Sequence, residues 1–241
     1  MTEQAAQGRG GAQHSASVAT GEHGPVTTVA EAGHGEAVHH TTTGLSHRKL
    51  LMWTFLGSDV MFFGAFIATY LVYRNRSIVG PYPDDILNIP ITSVSTFVLL
   101  MSSLAMVLAL HYIREGRYGV GRFWILATAG LGTVFLGFQV FEFHEFAQEG
   151  LTPRTNLFGS TFFILTGLHG GHVTLGVIWL LNMAWASFKG LLRSDNSEDL
   201  EIAGLYWHFV DIVWIVIFTV VYLISARDGA PPGAPPWVPL H

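Results

Sequence analysis

Five apolar runs decide what this chain can become. They cover positions 50–73, 91–113, 123–147, 159–188 and 202–226. A helix rises ~1.5 Å per residue and a bilayer's hydrocarbon core is ~30 Å thick, so about 20 apolar residues cross it. Within lipid the backbone must satisfy its own polar groups, and a helix does so inside one segment. The expectation is an all-α, polytopic membrane bundle of five transmembrane helices. Charged residues are 12% of the chain, about half their usual share in soluble domains. The net charge of −5 says little, because the charges sit mostly in tails and loops; no nucleic-acid partner is expected.

Around this transmembrane domain, read as 45–226, lie two tails. Positions 1–44 are rich in Gly, Ala, Ser, Thr and His, and the histidines of this leading stretch are His14, His23, His34, His39 and His40, with His47 just beyond. They lack the large apolar side chains a core needs and are expected to be disordered. A solvated leader or a weak metal- or pH-responsive tail both fit. No apolar signal segment opens the chain, so the first span is expected to serve as its own insertion signal. The end, 227–241, is proline-rich and expected to be extended. Pro81, Pro83 and Pro90 are expected to block helix between the first two spans. With 0 cysteines, disulfides and thiolate metal sites are excluded.

Five spans place the termini on opposite sides. Lysine and arginine favour the cytoplasm. Arg9, Arg48, Lys49, Arg114, Arg117, Arg122, Lys189 and Arg193 fall on one side, and Arg74, Arg76, Arg154 and Arg227 on the other. The N-terminus is therefore expected in the cytoplasm and the C-terminus outside.

Polar groups within the spans narrow the reading further. A carboxylate at membrane depth costs about 2.5–3.5 kcal/mol even on lenient insertion scales. It must face protein, water or a headgroup, or carry a proton. The last span holds YWHFVDIVW at 206–214. There His208 and Asp211 are i,i+3, Trp207 and Asp211 i,i+4, and Trp207 and Trp214 i,i+7, so one side of a helix collects them. Asp59 is the one charge of the first span, near mid-depth. Gln139, Glu142 and Glu145 repeat every third residue in the third span, with His144 off that stripe. They mark either a polar face or a helix end entering the interface. The fourth span carries His169 and His172 at i,i+3. Its Gly167, Gly170, Gly171 and Gly176 admit close backbone approach. Ser95, Ser102, Ser103 and Ala105 of the second span suggest helix packing only.

Three functions are compatible with such side chains. A bis-histidine haem needs two histidines at matching depth on facing helices, and His169 or His172 matches His208 poorly. A metal site at His172, His208 and Asp211 has no supporting local spacing. A transporter would show an inverted repeat or spans interrupted at their centres, and neither is present. A structural or regulatory subunit needs small-residue faces with buried histidines and carboxylates, which are present.

The motifs WTFLGSDVMFF in the first span, QVFE in the third, LTGLHGGHV in the fourth and YWHFVDIVW in the fifth together resemble subunit III of the haem–copper terminal oxidases, in its five-helix bacterial form. The resemblance covers 47–226. It implies an accessory subunit in a complex that reduces oxygen to water and pumps protons. This chain would hold no redox centre or metal, haem and copper lying in partner subunits. It would pack against subunit I, beside subunit II and a small subunit IV, in the bacterial plasma membrane. It would bind phospholipid and support proton uptake and the stability of subunit I. The electron donor would be cytochrome c or quinol. A subunit III-like component of a nitric oxide reductase and an independent haem-binding membrane protein are the alternatives. The family's buried, carbodiimide-reactive carboxyl is usually a glutamate, and Asp59 takes its place, one methylene shorter. Glu142, His169, His172, Trp207, His208 and Asp211 match motif positions and would serve as lipid-binding or structural polar residues. No catalytic residue is expected.

Overall fold

The computed structural model describes residues 46–74, 76–77, 80–192 and 197–225, except for the side chains of 84 and 85. The expected tails 1–44 and 227–241 lie outside the described residues. Among these residues all regular structure is helical. The elements are α1 (His47–Tyr73), α2 (Pro83–Ile86), α3 (Ile89–Arg114), α4 (Tyr118–Gln148), α5 (Leu157–Phe188) and α6 (Ser197–Ile217), which continues as a π-helix over Phe218–Ile224. Five of these helices are long and apolar enough to cross a membrane.

Local chemistry explains where the helices begin and end. Ser46, Asn88 and Asn156 each accept a backbone N–H of the first turn of α1, α3 and α5, the usual work of an N-cap. Gly116, Gly150 and Gly190 end α3, α4 and α5 at φ of 76°, 86° and 74°. There the absence of Cβ removes the steric penalty of the left-handed region. In each case the glycine N–H and the next N–H bond back to the last turn, as in Gly116 N to Ile113 O and Arg117 N to Tyr112 O. This is the Schellman arrangement.

Pro83 and Pro90 do not block helix as expected. Pro83 opens α2, and Pro90 sits in the first turn of α3. At these positions the missing N–H has no intrahelical partner to lose. The helices also run past the apolar runs, most clearly at α6, which starts at Ser197 rather than 202. The added turns are polar and bind one another. Arg48 meets Asp199 at 2.6 Å, Lys49 meets Glu201 at 2.9 Å and Arg114 meets Glu201 at 2.6 Å. Ser46 also donates to Glu198. This clasp joins the start of α1 and the end of α3 to the first turns of α6.

Helices α3 to α6 form the packed body, and α1 lies against α5 and α6. Only 11% of the most apolar stretch of α1 is buried within the chain, against 44% for α5 and for the last span. Large apolar side chains face outward, with Met61 76% and Leu51 71% exposed, as a lipid-facing surface requires. The chain is a multi-pass membrane protein. Trp207 locks the body together. Its Nε1 donates to Ser102 Oγ of α3 at 3.0 Å, while its ring rests against Gly132 of α4 and Gly176 of α5.

Candidate functional site

Three groups of buried polar side chains lie between the helices. In the first, Asp59 of α1 faces His172 of α5, with Oδ2 and Nε2 3.6 Å apart. His172 Nδ1 lies 2.8 Å from the Leu168 carbonyl of its own helix. Phe63 packs edge-on against its ring at 4.9 Å, and Tyr206 of α6 donates its hydroxyl to the His172 carbonyl at 2.9 Å. His169, one turn earlier, points elsewhere. It is fully buried between Phe135 and Trp214, with Nε2 3.2 Å from the Val210 carbonyl of α6. The i,i+3 histidines thus serve different seams of the bundle.

The second group joins α3 to α6. Ser103 Oγ and His208 Nδ1 are 2.6 Å apart, and Trp214 donates Nε1 to Thr96 Oγ1 at 3.0 Å. Asp211 is 3% exposed, and neither of its carboxyl oxygens has a hydrogen-bond partner, although the Ser103 hydroxyl is its neighbour. The side Trp207, Asp211 and Trp214 share is buried, as their spacing requires.

The third group lies near the opposite end of the body from the clasp. Glu142 of α4 is 5% exposed and accepts from Thr92 of α3 at 2.7 Å and from Tyr222 at 3.1 Å. One turn earlier on α4, Gln139 donates to the Thr166 carbonyl of α5 at 2.7 Å. Tyr222 belongs to the π-helix, whose end is joined by the bond from Ser225 Oγ to Val220 O. Gln139 and Glu142 therefore form part of the interior polar face, not a helix end at the interface. Glu145 is only partly buried, and His144 is exposed and pairs with Gln148.

The sequence reading missed the partners. Thr92, Thr96, Ser102 and Ser103 of α3 look like small packing residues, yet each supplies a hydroxyl to a side chain of α4 or α6. Their one signal is recurrence at 92, 95/96, 99 and 102, the buried face of α3, with half-buried Ser103 at its edge. Tyr222 lacked any signal, because nothing in FTVVYLI marks a π-helix. Chemically, the three groups hold helices together through side-chain contacts between them. Among the described residues no three His, Asp or Glu side chains are grouped so as to hold a metal; His172 lies with Asp59 in the first group, while His208 and Asp211 share Ser103 in the second.

A family model described as Cytochrome c oxidase subunit III matches residues 27–226. Cytochrome c oxidase subunit 3 of Bacillus sp. (strain PS3) is 36% identical over 179 residues, covering 74% of this chain and 86% of that protein. A protein named "Probable quinol oxidase subunit 3" from Staphylococcus epidermidis is 39% identical over 178 residues, covering 73% of this chain and 89% of its own length. Its namesake from Staphylococcus haemolyticus is 38% identical over 178 residues. This chain therefore belongs to the cytochrome c oxidase subunit III family, the accessory third subunits of terminal oxidases.

Proposed function

We propose that this subunit acts as a non-redox clamp on the catalytic part of its oxidase. It packs directly on subunit I, next to subunit II and a small subunit IV, in a bacterial plasma membrane, with its N-terminus in the cytoplasm. It carries no haem or copper of its own, and those centres belong to its partners. The supporting observation is the use made of its buried polar groups. Trp207, Trp214, Glu142, Gln139, His169 and His208 are each bonded to a neighbouring helix, so their chemistry is spent on architecture. The donor, cytochrome c or quinol, is selected by another subunit.

Bound phospholipid belongs to the same proposal. An apolar groove of about 460 Å³, lined by Ile91, Val134, Gly137, Phe138 and Phe141, suits an acyl chain. A second, also about 460 Å³, combines Arg48 and Asp199 with Leu51, Trp179, Met183 and Ile202. It suits a headgroup above a chain. The subunit supports proton uptake by subunit I and protects it during turnover. The test is to purify the oxidase with and without this chain and follow oxygen consumption over many turnovers. The proposal requires an unchanged haem spectrum and a shorter active lifetime without the chain. Equal lifetimes and equal proton uptake rates would refute the clamp.

A further inference from the structure

His172 has its tautomer set by its own helix. The Leu168 carbonyl only accepts, so Nδ1, 2.8 Å away, bears a proton. In the neutral ring Nε2 is then bare, and it faces Asp59 Oδ2 at 3.6 Å. That oxygen is buried and has no hydrogen-bond partner. Tyr206, the titratable neighbour on α6, gives its hydroxyl to the His172 backbone carbonyl. His169, the titratable neighbour on α5, is engaged with Val210, and α1 contributes Phe63, which is not titratable. Between Asp59 and His172 there is consequently one unfilled donor position facing two acceptor atoms.

We propose that Asp59 and His172 form a one-proton site that seats α1 against α5. The single proton lies on Asp59 Oδ2, aimed at Nε2, or on Nε2, aimed at Oδ2; at 3.6 Å the two atoms are in ion-pair range and close by about half an ångström to form the hydrogen bond. Transfer breaks the O–H bond, forms the N–H bond and leaves a carboxylate beside an imidazolium. The pair is net neutral either way. With no proton the site holds a bare carboxylate, and with two it holds an isolated imidazolium. Either charge is unpaired in a poorly solvated seam, so the site keeps a single proton shared by the pair. The side chains keep 13% and 18% of their surface at the edge of the seam, while Oδ2 itself is buried. The seam is also the weak one, because α1 is the least buried span. The inference concerns side chains within this chain and stands apart from the clamp role.

The test uses the intact oxidase in lipid nanodiscs with ¹⁵N-labelled histidine. The His172 signals are identified by their loss in His172→Gln, and the Asp59 carbonyl infrared band by its loss in Asp59→Asn. The expected result is a protonated Nδ1 at every pH, with Nε2 gaining a proton only as the Asp59 carbonyl band disappears. Asp59→Asn must change the His172 Nε2 shift, and Asp59→Glu must retain the wild-type pattern. If Asp59→Asn fails to assemble, the Asp59 carbonyl band is identified by its shift in Asp59→Glu, and its response to His172→Gln decides alone. A neutral Nε2–H tautomer, a His172 that changes charge while the Asp59 band stays constant, or an Asp59 band indifferent to His172→Gln overturns the proposal.

Discussion

Adding one methyl group at Gly176 tests how the body is locked. A Cβ there would stand 2.9 Å from both Cε3 and Cζ3 of Trp207 and 3.2 Å from Cε1 of Tyr206. Carbon atoms in contact prefer about 3.5–4.0 Å, so something must move by roughly half an ångström or more. Trp207 cannot move freely. It is 1% exposed, its Nε1 is tied to Ser102, and a Cβ at Gly132 on α4 would lie only 2.5 Å from its Cη2. Overpacking of this kind costs about 1–3 kcal/mol. The higher helix propensity of alanine returns at most about 1 kcal/mol. Gly176→Ala should therefore lose up to about 2 kcal/mol net. Gly57→Ala and Gly64→Ala, whose Cβ positions meet nothing within 4 Å, should lose nothing. The assay is unfolding by a denaturing detergent, read by tryptophan fluorescence, within a double-mutant cycle. Trp207→Phe withdraws the outer ring and should make Gly176→Ala nearly neutral in that background, a coupling of up to about 2 kcal/mol. A Gly176→Ala variant as stable as Gly57→Ala, or one that Trp207→Phe leaves equally destabilised, refutes the account of the lock.

Other perturbations reach the remaining contacts. Glu201→Gln weakens both the Lys49 and the Arg114 bonds of the clasp. It should speed amide exchange at the start of α1, and high salt should do the same in wild type by screening these partly exposed pairs. Tyr222→Phe removes one of the two hydroxyls on buried Glu142. It should cost about 1–3 kcal/mol by the same unfolding assay, with Thr92→Val close to it. His208→Ala and Asp211→Ala should loosen attachment of the subunit or its lipids, seen as loss of the chain on detergent washing, while the haem content of the complex stays constant.

Much of this arrangement is visible in the sequence, and its limits have physical causes. The five spans follow from apolar length alone, because nothing else in the chain satisfies a bilayer. The helix ends do not, since the turns at 47–49 and 197–201 are charged and persist only because they bind each other across the bundle end. Trp207, Asp211 and Trp214 were legible as one buried side because helical spacing is local. The bond from Thr92 to Glu142 was not, since fifty positions separate the residues. The glycines of α5 show the same limit. Gly170 and Gly176 do admit close neighbours, but those neighbours are the side chains of Gln139 and Trp207, while Gly167 and Gly171 meet nothing within 4 Å. Composition announced small surfaces without saying which were occupied. The π-helix at the end of the last span sets Tyr222 on Glu142, and its residues carry no glycine or proline to announce it.

The role proposed for this chain is that of an accessory subunit without a redox centre. Purification through this chain in mild detergent, with an optical spectrum and identification of the accompanying chains, tests it most directly. The account predicts haem in a larger copurifying oxidase subunit and none in this chain once it is separated. A haem spectrum from the separated chain would contradict it and make His169, His172 and His208 the first candidates for ligands.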